Sequence, residues 1–536
     1  MSDIHHTAVL LPPAWGHSVC YIHLAVQLLA ADPTLVLTII QHNIMVAMME
    51  KELATTDYDA TRLKLVGVGS KDLEFSPLAV EAVFRELLGA WMEFVAGYSH
   101  VNGANGMSGA NGVNGANGVN GANGPADVVW PKPRTLHMDF TCGGPIIEQT
   151  KALLGAECKV LMLYTFAGTS LKAHFNEYDF EATCEEIFAD ETRRNGRTKE
   201  EISVAVGAAW NGSDAYTGQI IHNPGVADMY DYERVSHASG PPTVNYPVIG
   251  SGQKLAKLAD GYILGTTTVL EPVGIPHLRE YYKKRGQDVF AVGMQTHERY
   301  FAEPGARGKE VVTNERVKAF LDDATAKYGT NSALYISFGS LFFPVTQIPH
   351  LEALLDVLLN ISPPLPFVFA LGGAMAAKAL PQSLIDRVNE SGKGLICQHW
   401  VEQRAILQHG AVGWFLTHGG YNSITEAVVE GMPMIVWPTG AEQPINAAYF
   451  SAEPNPIAFE LLQTRAGPQI GPSLRHPNVK ITGTVEDATK EFAVVLEDAR
   501  GAKGQRLREN IRALSGKVRE ARRGEALEEV RRLAML

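Results

Sequence analysis

The sequence predicts an α/β protein built from two large domains. Its 536 residues exceed the size of one ordinary domain, and 46% of them are hydrophobic. Short apolar runs alternate with helix-like stretches through most of the chain, which is typical of helices layered on parallel sheets. A second series of this kind begins near Thr313, after a stretch with proline and glycine at residues 296–308 that we interpret as the interdomain linker.

The first series opens on a buried strand at Thr7–Leu11, which is followed by two prolines. Apolar residues at helical spacing then predict a helix over Val19–Ala31. Later strands of this series are predicted at Leu35–Gln41, Arg134–Asp139 and Lys159–Thr165. Together these elements predict a parallel sheet with helices between its strands.

The second series begins with a predicted helix at Glu315–Tyr328. Its strands are predicted at Ala333–Ser337, Phe367–Leu371, Leu395–Gln398, Gly413–Thr417 and Met434–Trp437. From about Arg506 the residues are charged and amphipathic, which predicts a helix or a helix pair at this end.

One segment, residues 102–124, belongs to neither series. A glycine occurs at every third position from Gly103 to Gly124, and Gly112–Asn117 repeats as Gly118–Asn123. The segment has no proline to preset the extended conformation of collagen. Its asparagine and glycine content favours a flexible surface insertion without a part in the chemistry.

Composition and charge exclude several classes of partner. The net charge is −12, from 46 basic and 58 acidic residues, which argues against nucleic acid or an anionic membrane as the main partner. The five cysteines are scattered without a CxxC pair and are interpreted as free thiols of a cytoplasmic protein. No apolar run reaches roughly 18 residues and no secretory signal is evident, so no transmembrane segment is expected.

The block from Trp400 to Gln443 carries the chemistry. Its strand, Gly413–Thr417, runs through His418 and two glycines into a helix. Glycines at such a turn let the backbone approach a ligand, and the unpaired N–H groups of the helix start form an anion site that needs no metal. Ser423–Glu426 also fits a capping box, in which serine caps the helix and glutamate reaches back.

Polar and aromatic residues surround this turn. Trp400 offers an aromatic face for a base and Gln403 an amide for a ribose, while Glu442 and Gln443 follow the next strand. In an α/β sheet these positions fall at the carboxyl ends of neighbouring strands, where ligands bind. The block therefore predicts a nucleotide site.

The block closely resembles the signature of the family 1 UDP-dependent glycosyltransferases, above all the plant secondary-product enzymes. The matching positions are Trp400, Gln403, Leu407, His409, Gly413, Phe415, His418, Gly420, Asn422, Ser423, Glu426, Gly431, Pro433, Pro438, Glu442 and Gln443. The resemblance implies the GT-B fold, with two Rossmann-like domains facing across a cleft and a C-terminal helix returning to the N-terminal domain. It implies an acceptor-binding domain at residues 1–300, a UDP-sugar-binding domain at 301–505 and a helical segment at 506–536.

The resemblance also implies a role for each site residue. Trp400 would stack on uracil, with the Val401 backbone and Gln403 near base and ribose, and Glu426 would bind the ribose hydroxyls. The residues expected to hold the diphosphate are Ser340, His418, Gly420, Asn422 and Ser423. Those expected to contact the sugar are Tyr421, Glu442 and Gln443. This chain has Gly419-Gly420-Tyr421 where plant members usually carry Cys-Gly-Trp, which weakens the inference of sugar preference.

The resemblance places the general base of the family at His17, between the first strand and helix. A helix N-terminus disfavours the protonated imidazole and so keeps it a neutral base. Asp139, at the end of a later strand, would hold its tautomer and stabilise the imidazolium. The alternatives are a solvated or capping role for His17 and a helix cap for Asp139, and His137 is a lesser candidate for the dyad.

These residues predict a single displacement at the anomeric carbon, with inversion and with UDP leaving. The spacing of Asp57 and Asp59 resembles a metal motif, but the polar stretch around them is expected to be a surface helix, so neither a metal nor a cofactor is predicted. Glu442 favours a neutral hexose, glucose first. Expected acceptors are small aromatic or terpenoid alcohols, and the aromatic residues Phe75, Phe84, Trp91 and Phe94 line either an apolar pocket or core.

Two other functions remain open on the sequence. A UDP-sugar epimerase or hydrolase on the same fold would turn over the donor without an acceptor. A UDP-sugar-binding protein without catalysis would not need His17 or Asp139.

Overall fold

The computed structural model describes residues 4–71, 80–99, 130–175, 180–211, 218–234, 242–302, 308, 310–340, 342–372 and 374–536. The chain forms two compact units. Unit 1 comprises Met1–Ala208, Pro241–His297 and Ala521–Leu536, and unit 2 comprises Ala209–Gly240 and Glu298–Glu520. The predicted insertion at residues 102–124 and Phe75 lie outside the described residues.

Within the described residues the strands are, in chain order, β1 His5–Leu10, β2 Leu35–His42, β3 Leu63–Val68, β4 Thr135–Asp139, β5 Lys159–Tyr164, β6 Ile220–Ile221, β7 Met229–Tyr230, β8 Gly261–Leu264, β9 Asp288–Ala291, β10 Ala333–Ser337, β11 Phe367–Ala370, β12 Gly394–Cys397, β13 Val412–Thr417, β14 Met434–Val436 and β15 Ala458–Glu460. The helices of the same residues are α1 Trp15–Ala31, α2 Asn43–Leu53, α3 Val80–Ser99, α4 Ile147–Leu154, α5 Gly168–Phe175, α6 Phe180–Ala189, α7 Glu191–Arg194, α8 Lys199–Asn211, α9 Pro242–Leu258, α10 Gly274–Lys283, α11 Glu315–Tyr328, α12 Ile348–Asn360, α13 Ala374–Ala379, α14 Gln382–Glu390, α15 Gln403–Leu407, α16 Tyr421–Glu430, α17 Gln443–Phe450, α18 Val485–Arg500, α19 Ala502–Arg523 and α20 Glu525–Ala534.

Unit 1 is built on a parallel sheet with the strand order β3-β2-β1-β4-β5-β8-β9. Its strands are almost entirely buried, as expected where helices cover both faces of a sheet, and they carry buried polar as well as apolar residues. β1 lies next to β4, with Leu10 opposite Met138, so the carboxyl ends of these two strands meet. The predicted α/β class and the predicted strands of this unit are confirmed to within two residues at each end.

The two faces of this sheet bury different sets of residues. Leu136 and Met138 point into one core together with Trp91 of α3, whose indole donates to Thr150 Oγ1. Tyr21 of α1 and Val530 of α20 pack on the other face. Phe84 and Phe94 are partly buried and pack against the first of these cores, as the core interpretation of the α3 aromatics predicts.

The first helix begins at Trp15, four residues before the predicted start at Val19. The polar side chain of Ser18 is accommodated inside the helix, because its Oγ donates to the Ala14 carbonyl. His17 therefore lies in the first helical turn, close to the end of β1. The backbone of α1 thus fixes its position.

Unit 2 contains a second parallel sheet with the order β12-β11-β10-β13-β14-β15. The segment Ala209–Gly240 belongs to this unit although it comes from the first half of the sequence. It forms the β6–β7 hairpin, and the fully buried carboxylate of Glu233 then pairs with Arg465 at 3.4 Å and accepts from the Leu474 backbone N–H at 3.1 Å. An unpaired charge at this depth is strongly unfavourable, so the ion pair fastens the segment to unit 2.

The stretch around Asp57 and Asp59 differs from its prediction. Asp57 and Asp59 lie in a loop between α2 and a short 3-10 turn, so the expected surface helix is wrong there. Asp59 caps that turn instead, by accepting from the Thr61 backbone N–H. Among the helices that the structure describes, none is both long and apolar enough to cross a membrane.

We expect the stability of unit 1 to fall in mild acid because of His6. Its ring is held between the Pro131 carbonyl and Thr38 Oγ1, each at 2.8 Å, and burial lowers its pKa to about 4. The unfolded chain takes up this proton near pH 6.5 and the folded chain does not, so stability drops as pH falls through this window by about 1.4 kcal/mol per pH unit.

Replacing His6 with Gln removes the group that takes up this proton, and the glutamine side chain keeps one hydrogen-bond donor and one acceptor. Urea unfolding at pH 7.5 and pH 5.0 is therefore expected to show a smaller loss of stability on acidification in His6→Gln than in the wild type. His222, whose side chain is 74% exposed, gives the control variant His222→Gln with an unchanged pH response. Equal acid sensitivity of His6→Gln and the wild type would contradict the assignment.

Candidate active site

The structure brings His17 and Asp139 into one hydrogen-bonded pair. His17 Nδ1 lies 2.9 Å from Asp139 Oδ2, and the carboxylate is fully buried. The second oxygen, Oδ1, accepts from Thr141 through its backbone N–H at 2.9 Å and its hydroxyl at 2.7 Å. Asp139 ends β4 and His17 lies in the first turn of α1 after β1, so adjacency of the two strands creates the pair.

This geometry prepares the imidazole to accept a proton. A carboxylate that accepts from Nδ1–H fixes the tautomer in which Nε2 carries the lone pair, and it stabilises the imidazolium that forms later. The side chain of His17 is 13% exposed. The rings of Phe140 and Phe166 lie 5.5 Å and 5.3 Å from it, centroid to centroid, which gives the base an apolar surrounding.

His137, the competing histidine, is placed elsewhere. It lies on the same side of β4 as Asp139, as strand alternation predicts, but it is fully buried. Burial lowers its pKa to about 3, and its Nδ1 is 2.6 Å from the hydroxyl of Tyr21. A ring without access to solvent or substrate does not serve as the base.

In unit 2 the predicted nucleotide residues gather at the carboxyl edge of the sheet. β10, β13 and β14 are neighbours, and the loops that follow them carry Ser340, His418 and Glu442. α16 begins at Tyr421, and its N-cap residue is Gly420, which has no side chain that could cap the helix. The capping-box alternative is therefore wrong, because Ser423 lies inside the first turn and not at the N-cap position.

His418 is enclosed by this turn. Burial lowers its pKa to about 4, so the ring is neutral near pH 7 and donates through a single N–H. A Cβ at Gly339 would lie 2.8 Å from its Cε1, and a Cβ at Gly420 would lie 2.4 Å from its Nε2. Both glycines are required because the imidazole lies directly against their backbone.

The residues predicted for base and ribose form a connected group. The Trp400 side chain is 58% exposed, unusually so for this residue type, and its ring lies over Gly372. The neighbouring Val401 is buried. Gln403 Nε2 donates to Glu426 Oε2 at 2.7 Å, so the amide and carboxylate act as one unit.

The residues predicted to contact the sugar differ in their roles. Gln443 Oε1 accepts from the backbone N–H groups of Thr439 and Gly440 and from the Thr439 hydroxyl, at 2.7–3.0 Å, and so shapes the turn before α17. Glu442 is the N-cap residue of α17. The Tyr421 side chain is only 2% exposed, so it packs inside unit 2.

Asn446 is a residue of this group that we did not predict. Its Nδ2 donates to the Gly419 carbonyl at 3.0 Å and lies 3.4 Å from Glu442 Oε1. Its buried Oδ1 has no partner among the described residues. The available signal was its spacing, since Asn446 is four residues after Glu442 and therefore on the same face of α17.

The close approach at Gly339 yields a testable prediction. Gly339→Ala puts a methyl group against His418 at a positive φ of 72°, whereas Gly329, with a φ of 85°, has no atom within 4 Å of the added carbon. We expect both alanine variants to lose stability, by about 1–3 kcal/mol, because both positions have a positive φ that L side chains rarely adopt.

Only Gly339→Ala is expected to weaken UDP binding, by about tenfold, because it displaces the imidazole. Isothermal titration calorimetry with UDP measures this difference, and Gly329→Ala is the matched control. Equal affinities in the two variants would show that the contact between Gly339 and His418 does not support nucleotide binding.

Part of the chain is similar in sequence to known glycosyltransferases. Residues 317–464 match the family of UDP-glucoronosyl and UDP-glucosyl transferases. The chain is 36% identical over 303 residues to UDP-glycosyltransferase eriJ of Hericium erinaceus, over 55% of this chain and 58% of that protein. It is 30% identical over 233 residues to solanidine UDP-glucose glucosyltransferase 1 of Solanum tuberosum, over 43% and 42% of the two chains. The matched part thus spans about half the length of these relatives.

Solved structures share the fold along the whole chain. UGT71G1 of Medicago truncatula, complexed with UDP-glucose, has a TM-score of 0.65 at 18% identity, over 100% of this chain and 99% of that one. UGT2 of Phytolacca americana, complexed with UDP-2fluoro-glucose and pterostilbene, has a TM-score of 0.63 at 18% identity, over 99% of each chain. The two Rossmann-like halves of the chain have the GT-B fold of these solved structures, and residues 317–464 match the family of UDP-glucoronosyl and UDP-glucosyl transferases.

Proposed function

We propose that this protein is an inverting UDP-glycosyltransferase that transfers glucose from UDP to a hydroxyl group of a small apolar acceptor. The observation that carries the proposal is the pair of His17 and Asp139 in unit 1, at 2.9 Å. A nucleotide-binding protein without catalysis has no use for a buried carboxylate that orients a partly exposed imidazole.

The pair supports general-base catalysis. Nε2 of His17 takes the proton of the acceptor hydroxyl as its oxygen attacks the anomeric carbon of the sugar. The carboxylate of Asp139 stabilises the imidazolium and stays ionised itself. Attack from the face opposite UDP inverts the anomeric centre, so an α-linked donor gives a β-linked product.

Unit 2 supplies the groups for the leaving diphosphate. The N–H groups at the start of α16 and the neutral His418 are donors fixed before the reaction, which stabilise the negative charge that grows on UDP. Ser340, Asn422 and Ser423 belong to the same edge. The helix start provides this charge stabilisation without a divalent cation, and we propose metal-independent transfer on that ground.

The surroundings of the base support an apolar acceptor. Phe140, Tyr164, Phe166 and Phe175 form one aromatic cluster, with ring centroids 5.2–5.8 Å apart, and His17 lies against its edge. An acceptor that presents a hydroxyl to His17 would approach the apolar edge of this cluster, where the ring of Phe166 lies 5.3 Å from the imidazole, centroid to centroid. This favours phenols and terpenoid alcohols over sugars or peptides.

The base assignment is tested by His17→Ala and Asp139→Asn. We expect His17→Ala to lower kcat by at least about a thousandfold and Asp139→Asn by a smaller factor, because the second variant keeps the imidazole but not its tautomer. Transfer is measured by mass spectrometry with UDP-sugars and a panel of phenols, terpenoids and sterols.

UDP affinity is the control, and it should not change in either variant because the nucleotide groups belong to unit 2. Near wild-type transfer by His17→Ala would remove His17 as the base. Turnover of UDP-sugar without an acceptor, at equal rates with and without a phenol, would instead favour an epimerase or hydrolase.

The donor preference is tested at Glu442. An acidic side chain accepts hydrogen bonds from the hydroxyls of a neutral hexose and repels the carboxylate of glucuronate. Glu442→Gln is expected to lower the ratio of kcat/KM for UDP-glucose to that for UDP-glucuronate by about tenfold. Calorimetry with UDP alone provides the control, since the nucleotide contacts are unaltered; an unchanged ratio would mean that Glu442 does not face the sugar.

A further inference from the structure

A second hydrogen-bonded pair lies beside the proposed base. Tyr21 of α1 and His137 of β4 are both fully buried, and the Tyr21 hydroxyl lies 2.6 Å from His137 Nδ1. Their rings are in edge contact, with centroids 5.8 Å apart at an angle of 71°. Neither the proton transfer nor the nucleotide site uses these two residues.

Counting donors and acceptors sets the direction of this hydrogen bond. Burial lowers the pKa of His137 to about 3 and raises that of Tyr21 well above its usual value, so both groups are neutral. His137 Nε2 has no partner among the described residues. If the phenol donates to Nδ1, only Nε2–H is unsatisfied, whereas the reverse direction would also leave the phenol hydrogen without an acceptor.

At this core position a histidine is less favourable in free energy than an aliphatic residue would be. His137 pairs in register with Val9 of β1 and Leu161 of β5, which are both aliphatic and buried on the same face. An aliphatic residue between them would fill the space without a buried, unsatisfied N–H. Packing alone therefore does not explain a histidine here, and the hydrogen bond to α1 is the feature that an aliphatic residue would lose.

The two pairs join the same two elements. Tyr21 is one helical turn after His17, and His137 is two residues before Asp139 on the same side of β4. α1 is thus hydrogen-bonded to β4 at two successive levels. The hydrogen bond between Tyr21 and His137 holds the rotation of α1 and its distance from β4. At this position of the helix, His17 Nδ1 lies 2.9 Å from Asp139 Oδ2.

We propose that Tyr21 and His137 are positioning residues, which hold α1 against β4 so that His17 and Asp139 stay in hydrogen-bonding distance. This inference rests on the proposed function, because it assigns the pair a purpose only if His17 is the base. The Tyr21 hydroxyl is the group through which α1 is held to β4.

The test is Tyr21→Phe, which removes one oxygen atom and keeps the ring. We expect kcat to fall about tenfold while the KM for the UDP-sugar changes less than about twofold, because only the base is misplaced. A longer bond to Asp139 stabilises the imidazolium less, so the acid limb of kcat/KM should move to lower pH. A purely structural role would not move this limb.

Tyr262→Phe is the matched control. Tyr262 is equally buried in unit 1 and its hydroxyl donates to the Ala256 carbonyl at 2.5 Å, but it packs in the core on the opposite face of the sheet. We expect it to lower the melting temperature without changing kcat or the acid limb. If Tyr262→Phe lowers kcat as much as Tyr21→Phe does, the effect is one of stability and the proposal is overturned.

The double variant Tyr21→Phe with His137→Leu separates folding from positioning. Removing both partners removes the unsatisfied groups, so the melting temperature should recover relative to Tyr21→Phe. Recovery of stability with kcat still low and the acid limb still shifted supports positioning; recovery of all three overturns it. Activity that survives His17→Ala would defeat the base assignment itself, whereas a silent Tyr21→Phe beside an inactive His17→Ala defeats only this inference.

Discussion

The hydrogen bond between His17 and Asp139 depends on a constraint of the whole sheet of unit 1. The two residues are 122 positions apart, yet β1 and β4 are neighbours, and in a parallel sheet all carboxyl ends lie at one edge. α1 must begin directly after β1 for the imidazole to reach β4. The early start of α1 at Trp15 and the burial of Asp139 are thus parts of one arrangement.

In unit 2 the constraint is different: the backbone must lie in close contact with the buried ring of His418. His418 occupies space that any side chain at Gly339 or Gly420 would need. The same imidazole is kept neutral by its burial. Fixed neutral donors beside a helix start favour a polyanion without competing ionic partners, which suits the proposed binding and release of a diphosphate.

Much of this was predictable because buried strands and glycine turns leave strong local patterns. The strand Ala333–Ser337 and the helix Glu315–Tyr328 have the predicted bounds, and the loops of the block from Trp400 to Gln443 follow neighbouring strands at the carboxyl edge of the sheet, as predicted. The start of α1 was missed because Ser18 bonds to the helix backbone, where a polar residue usually signals a cap. Asn446 and the pair of Tyr21 and His137 were not predicted, because their roles depend on hydrogen-bond partners that lie elsewhere in the sequence.

The docking of Ala209–Gly240 on unit 2 affects how the chain folds during synthesis. The backbone passes between the units four times, at residues 208/209, 240/241, 297/298 and 520/521, so neither unit is one continuous stretch. Val530 and Leu533 of α20 complete a core whose other members lie mostly in the first 163 residues. After synthesis of only about the first three hundred residues, this core is therefore incomplete. We expect the nascent chain to depend on chaperones until α20 has emerged from the ribosome.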